Sequence, residues 1–493
     1  MSALRGDQGD PGRRVALVHD WLTGMRGGEK VLDAICEIFP DAPLTTLVRV
    51  PGSVSARIEA RPIRTSFVQA LPAPARLYRH YLPLYPLAVR LLDFRDADLV
   101  VSSSHCAVKA VIAPERAVHV CYCHSPMRYA WDQFDEYFGP ARVGAAMSGL
   151  LRPVLRRLAR WDQATADRVD RFLANSQYVA GRIRRYYNRR STIVYPPVDT
   201  EYFTPQHRDD SSAFLIVSAL VPYKRLDVAI DACRLLQVPL KIVGTGPERD
   251  RLERQAGGGV EFLGWQSDEQ IRELYRSSRA ALLPGTEDFG IVPVESQACG
   301  TPVVALNAGG ARETVVDGET GVLVDGATVE AFAGGLERAL STTFDRAAVR
   351  RNAERFSRAN FFKSFTAAVE QAIDDKARGG NADAARWGAA APPVFPENWP
   401  SLAAEDVPGA LPPTAPRADI ETMALDAAGS SPAVPRASST APRETPLVDV
   451  DAAKRPAGSP RVSSTGPPEP PLVDVDAARR PPPPGKADPE NNK

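Results

Sequence analysis

Short runs of β-branched and aliphatic residues alternate with longer segments of helical periodicity along most of this chain, in two successive series. In the first series the pattern predicts strands at residues 15–19, 44–48, 98–102, 118–122, 172–174 and 192–195. Helices are predicted around 29–39, 127–138, 142–168 and 177–187, with residues 24–28 as a loop. In the first helix Val31, Leu32, Ile35 and Ile38 share one face. Prolines and polar residues at 196–210 interrupt the pattern. A second series then begins, with strands at 213–218, 240–243, 260–263, 280–283, 302–305 and 321–324. Its helices fall at 224–236, 248–255, 268–277, 291–298, 329–340 and 346–374. Strands alternating with helices imply mostly parallel sheets covered on both faces. The expected fold is therefore α/β, with two Rossmann-like doubly wound domains at residues 14–198 and 199–375. In such sheets ligands bind beyond the carboxyl ends of the strands, so two facing domains put the site in the cleft between them.

The alternation stops near residue 375, where the composition changes. Of 45 prolines in 493 residues, 23 lie from Lys376 onward. That segment has little apolar surface to bury and reads as a disordered tail at 376–493, as residues 1–13 read as a disordered N-terminus. The run Pro446-Leu-Val-Asp-Val-Asp-Ala-Ala-Lys-Arg-Pro456 recurs at 471–481, an offset of 25 residues. It reads as a duplicated linker, with a twofold peptide docking motif as the alternative. The balance of 60 Lys+Arg against 60 Asp+Glu argues against a nucleic-acid partner. No run approaches the ~18 apolar residues of a membrane span, and the N-terminus lacks the apolar stretch of a secretory signal. Six cysteines make no disulfide framework in a chain this long. Cys121 and Cys123 read as buried strand residues. A reducing, cytoplasmic location is expected.

The richest constellation lies just after the strand at 280–283. It runs Pro284-Gly-Thr-Glu287-Asp-Phe289-Gly290-Ile291-Val-Pro-Val-Glu295, then Gly300-Thr-Pro-Val-Val. Glu287 sits in a loop at a strand's carboxyl end. Gly290 lets the chain pass close to a ligand, and Pro293 suits the first turn of the helix that carries Glu295. A helix N-terminus favours a diphosphate or a hydroxyl-rich ligand. Two carboxylates in one pocket can accept hydrogen bonds from vicinal hydroxyls. Earlier in the chain, Tyr223-Lys224-Arg225 comes after the strand at 213–218, and Gly244-Thr-Gly246 after the strand at 240–243. The latter lacks the third glycine of a dinucleotide fingerprint, and no GxxxxGK[ST] occurs. In the first series Gly27-Gly28 comes after the first strand, and His124-Ser-Pro-Met-Arg128 and His105 each come after another.

These segments, in this order, resemble glycosyltransferase family 4, retaining enzymes of the GT-B fold. The resemblance covers roughly residues 14–372. It implies that Glu295 accepts the nucleotide ribose hydroxyls and Glu287 the sugar hydroxyls. It also implies that Lys224, with Arg225 in place of an arginine missing near Ala219, neutralises the leaving diphosphate. Gly244, Gly246, Phe289, Gly290 and Ile291 are expected to line the donor site. His124 would lie near the transferred sugar, with His105 as a lesser candidate. Gly27, Gly28 and Arg128 would form the acceptor or phosphate side. The last helical stretch, 360–372, would cross back onto the first domain.

The string HSPMRYAWD, with Tyr81-Leu-Pro-Leu-Tyr-Pro86, resembles a narrower set of bacterial mannosyltransferases of O-antigen and exopolysaccharide assembly. The expected activity is retaining, metal-independent transfer of mannose from GDP-mannose to a saccharide, often lipid-linked. No cofactor is expected. A UDP-sugar donor, a GT-B phosphorylase or epimerase, and a non-catalytic scaffold remain alternatives. Basic amphipathic stretches at 76–95 and 150–160 suit either peripheral membrane contact or ordinary packing.

Overall fold

β-Branched and aliphatic runs flanked by helices fold where both faces of a sheet can be buried, and each series forms its own sheet. The computed structural model describes residues 13–206 and 213–379. The readings of 1–12 and of the tail beyond 379, with its repeat, lie outside the described residues. The first sheet contains β1 (Val15–Leu22), β2 (Leu44–Arg49), β3 (Ile63–Thr65), β4 (Leu99–Ser104), β5 (Val118–Cys123), β6 (Arg171–Ala174) and β7 (Ser191–Ile193). Its order is β3-β2-β1-β4-β5-β6-β7, with every pairing parallel. All residues of β4 and β5 are buried, as a parallel sheet covered on both faces requires.

The second sheet contains β8 (Phe214–Val217), β9 (Leu240–Val243), β10 (Val260–Gly264), β11 (Ala281–Leu283), β12 (Val303–Leu306) and β13 (Gly321–Val324). It runs β10-β9-β8-β11-β12-β13, again all parallel. The two sheets share one plan. In each the order reverses beside the first strand, between β1 and β4 and between β8 and β11. These are the switch points where doubly wound sheets open a crevice.

Several predicted elements are divided or shifted. The helix expected at 127–138 is two short ones, Arg128–Trp131 and Phe134–Phe138. The helix expected at 142–168 is Pro140–Val143 followed by Ala145–Ala164, with Gly144 between them. The stretch 346–374 breaks into Arg346–Glu354 and Arg358–Ala377. Ser357 restarts the chain there by accepting the Asn360 N–H. Gly27 and Gly28, expected in a loop, are the first two residues of the helix Gly27–Ile38. Glu29 anchors that helix start, accepting the Arg26 N–H at 3.1 Å from the first turn.

The final helix lies on the first domain although the second precedes it in sequence. Phe361, Phe365, Val369 and Ile373 pack into the core made by Leu17, Leu32, Val120 and Tyr122. Arg171 Nη2 meets Asp375 Oδ2 at 2.6 Å and Lys376 Nζ meets Asp170 Oδ2 at 2.9 Å.

Candidate active site

Both switch points open onto one cavity of about 340 Å³, lined from the two domains together. The first domain contributes Gly27 and Gly28 after β1, His105 after β4, and His124, Ser125 and Arg128 after β5. Trp21, Tyr85, Tyr129, Tyr137 and Phe138 give this wall an aromatic face. The second domain contributes Ser218, Tyr223 and Lys224 after β8 and the run from Glu287 to Val292 after β11.

Lys224 and Glu287 form an ion pair, with side chains 13% and 18% exposed. Two loops must approach closely to make it. A Cβ on Gly285 would lie 2.7 Å from the Tyr223 carbonyl oxygen and 2.8 Å from Lys224 Cα. Only a residue without a side chain fits between the turn carrying Lys224 and the strand end carrying Glu287. From the other side, the Gly310 N–H donates to the Glu287 carbonyl at 2.9 Å. A Cβ on Gly309 would meet that same oxygen at 2.2 Å. Neither Gly285 nor the 309–310 turn stands out in the sequence, because their role is packing against loops distant in the chain.

Asp288 turns towards the first domain. It pairs with Arg128, whose Nε lies 3.1 Å from Asp288 Oδ2. Burial pushes the Asp288 carboxyl up, but Arg128 and Arg182 outweigh it and hold it below its ordinary range. The Ser176 hydroxyl donates to the Asp288 carbonyl at 2.6 Å. Nearby, Glu313 of the second domain accepts the N–H groups of Gln177 and Tyr178, at 2.9 and 3.2 Å. A carboxylate there satisfies free donors at a helix N-terminus.

Glu295 is buried, one helical turn past the lining residue Ile291. Its Oε1 takes Lys30 Nζ at 3.0 Å, across the cleft from the helix Gly27–Ile38. The Tyr275 hydroxyl stands 3.4 Å from its Oε2. Sequence reasoning misses Lys30, since a lysine in an early turn of a helix reads as solvated.

His124 closes the first-domain side. Its Nε2 lies 2.8 Å from Ser103 Oγ, which also meets His19 Nδ1 at 3.0 Å. Burial, above all, pushes the His124 imidazole far below its ordinary value, so it is neutral. His105 lines the same wall, its Nδ1 3.4 Å from the Asp20 carboxylate. Asp20 itself accepts the four backbone N–H groups of residues 105–108.

The structure thus brings His124, Lys224, Glu287, Phe289, Gly290, Ile291, Gly27, Gly28 and Arg128 to one cavity. Four expected residues stand apart from that lining: Glu295, already described, and Arg225, Gly244 and Gly246. Arg225 pairs with its neighbour Asp227 at 3.3 Å, because the turn after Lys224 directs it along its own helix. Gly244 and Gly246 lie beyond the lining. Gly246 is a packing requirement, since a Cβ there would come within 2.3 Å of the Leu220 carbonyl oxygen.

Comparison with known proteins adds a family to this geometry. Residues 25–202 match the family model described as Glycosyltransferase Family 4. Residues 198–356 match the model described as Glycosyl transferases group 1. A curated relative, the D-inositol 3-phosphate glycosyltransferase of Mycolicibacterium smegmatis, is 32% identical over 251 residues, which are 45% of this chain and 57% of that protein. The enzyme of the same name from Rhodococcus erythropolis is 33% identical over 216 residues, 38% of this chain and 48% of that protein. The chain therefore spans about half the length of the curated relatives it matches. Among solved structures, Anabaena HepE in complex with UDP has a TM-score of 0.53 at 19% identity, covering 72% of this chain and 100% of that one. A sucrose-phosphate synthase from Thermosynechococcus elongatus has a TM-score of 0.52 at 17% identity, covering 74% and 98%. These likenesses at low identity establish the fold. With two adjoining family models running from residue 25 to 356 across a two-domain cleft, the chain belongs to the GT-B glycosyltransferases of group 1 and family 4.

Proposed function

We propose that this chain transfers a hexosyl group from a nucleotide-sugar, GDP-mannose, to a saccharide acceptor, with retention and without a metal. One observation carries the reading. A cation and a carboxylate, Lys224 and Glu287, stand paired at one switch point and share a cavity with a neutral histidine, His124, from the other domain. In the reaction the bond from the sugar's anomeric carbon to the diphosphate breaks, and one to an acceptor oxygen forms. The acceptor's proton leaves with the diphosphate. Negative charge therefore grows on the departing phosphate, where a positioned ammonium acts most strongly in a site that excludes water.

The Lys224–Glu287 pair holds both groups ready. On donor binding Lys224 turns to the diphosphate and Glu287 is released to the sugar hydroxyls. Glu295 would exchange Lys30 for the ribose hydroxyls. The aromatic wall of Trp21, Tyr85, Tyr129 and Tyr137 suits the flat faces of an acceptor sugar. Mannose and GDP are supported by the resemblance of His124–Asp132 to mannosyltransferases. A lipid-linked acceptor is supported by exposed Leu84, Leu87 and Leu91, beside Arg90, and by exposed Met147, Leu150 and Val154 in the arginine-rich helix Ala145–Ala164.

The test is a transfer assay with labelled GDP-mannose, GDP-glucose and UDP-glucose against free and lipid-linked saccharides. We expect acceptor-dependent transfer from GDP-mannose, insensitive to EDTA, giving an α-linked product by NMR. Turnover of free sugars or of the donor alone would indicate the phosphorylase or epimerase reading, and an inverted product would remove the retaining one.

A further inference from the structure

Behind His124 lies a chain of polar groups that the proposed transfer does not use, ending at Glu29 on the cavity wall. Ser103 Oγ stands between two imidazoles, 2.8 Å from His124 Nε2 and 3.0 Å from His19 Nδ1. His19 is fully buried, and its other nitrogen, Nε2, lies 3.7 Å from Glu29 Oε1. That distance is too long for a hydrogen bond but close for a charge in a buried setting. Glu29 is itself buried and is held in place by the Arg26 N–H. The sequence supplies these groups from four segments: β1, the helix after it, β4 and the turn after β5.

A neutral imidazole carries one N–H and one lone pair, and its neighbours decide which nitrogen holds which. Facing Glu29 with a lone pair would set two negative ends against each other in a buried site. In the neutral form of His19 the proton sits on Nε2, facing Glu29, and Nδ1 accepts. The Ser103 hydroxyl then donates to His19, and its oxygen is left to accept from His124 Nε2–H.

We propose that Glu29, His19 and Ser103 are positioning residues that fix His124 as its Nε2–H tautomer, so that its Nδ1 lone pair serves the cavity. His124 then accepts a hydrogen bond from a hydroxyl, of the transferred hexose or the acceptor, and cannot donate one to the diphosphate. The order of groups gives this histidine one role where an isolated imidazole would have two. Its use in catalysis rests on the proposed transfer. The tautomer does not.

The test is a long-range 1H–15N correlation spectrum of full-length protein labelled with 15N-histidine, without substrate, with the His124 signal assigned by its loss in His124→Gln. In the wild type we expect a neutral ring protonated at Nε2. In Ser103→Ala and in Glu29→Gln we expect a shift towards the Nδ1–H form, with kcat lowered on the order of tenfold, the effect of one lost hydrogen bond, and in Ser103→Ala donor affinity unchanged. Ser103→Thr, which keeps the hydroxyl, restores both. An Nδ1–H ring in the wild type overturns the proposal, as does a tautomer unmoved in both variants. The wild-type tautomer is read without Ser103→Ala or Glu29→Gln, so a failure of either to fold leaves the question decided. If no nucleotide-sugar binds, the transfer reading fails while the tautomer result stands. If transfer is normal in a variant whose tautomer has moved, the positioning role fails while the transfer reading stands.

Discussion

At the scale of single residues, the site is a set of charges that neutralise one another until a ligand divides them. Lys224 and Glu287 are mutually paired, as are Lys30 and Glu295. Removing one member leaves the other partly buried without its partner, which costs stability as well as function. Lys224→Met is expected to lower kcat by about 10²–10³-fold, the usual effect of deleting a group that stabilises transition-state charge. Steady-state kinetics beside a circular dichroism melt checks that the fold survives. Gly285→Ala tests the support beneath the pair. Its Cβ would press on Tyr223 and Lys224 backbone, so the substitution is expected to destabilise by about 1–3 kcal/mol and to reduce turnover further than the melt alone explains. Urea denaturation and kinetics on the same sample separate the two effects.

A second residue-scale prediction concerns acid. His119, in the middle of the first sheet, is fully buried and meets Ser102 Oγ at 2.9 Å and the Arg168 carbonyl at 3.0 Å. Burial pushes its pKa down to about 4 from an ordinary 6.5. The unfolded chain takes up that proton first as pH falls, so stability is intact above about pH 6.5 and declines from there towards pH 4. The loss approaches about 3 kcal/mol, from ~1.4 kcal/mol for each pH unit. His119→Gln should flatten this part of the pH–stability curve in denaturant titrations, and an unchanged slope would contradict it.

At the scale of elements, most of the fold was legible because a parallel strand buried on both faces must be a short apolar run. The ranges predicted for Leu240–Val243, Gly321–Val324, Asp268–Ser277 and Ile291–Ala298 are those observed. β3 escapes prediction because Ile-Arg-Thr at a sheet edge has neither length nor alternation. The long predicted helices are broken by Gly144 and by the Ser357 cap, local signals that an averaged periodicity passes over. Loops at the ends of strands were legible as sites through their charged and glycine residues. What the sequence could not display was contact between distant loops: Lys30 on Glu295, Ser103 on His124, and Gly309 under Glu287. The returning helix Arg358–Ala377 makes its own prediction. Phe365 is fully buried in the first-domain core, so Phe365→Ala should cost about 3–5 kcal/mol. The loss should appear in the urea transition of the first domain, although the residue comes after the second in sequence.

At the scale of the whole molecule, two sheets of one plan face each other so that both switch points serve a single cavity. Its polar contacts include Lys30 to Glu295, Arg128 to Asp288, Ser176 to the Asp288 carbonyl and Glu313 to the helix Gln177–Tyr187, beside the packing of Tyr195 on Phe289. The polar contacts can be exchanged for those of a ligand. Among the described residues no helix is long and apolar enough to cross a membrane. If the exposed leucines near Arg90 and in the helix Ala145–Ala164 meet a lipid surface, cosedimentation with anionic vesicles should exceed that with neutral ones. It should also fall with salt and in Leu87→Ser/Leu150→Ser.

The most direct measurement is calorimetric titration of GDP-mannose into the wild-type chain and into Lys224→Met. Saturable one-site binding is predicted, weakened on the order of tenfold or more by the substitution, as loss of a charge-assisted contact requires. Equal binding by the two proteins, or no binding of this or any other GDP- or UDP-sugar to the wild type, would contradict a donor site at Lys224 and Glu287.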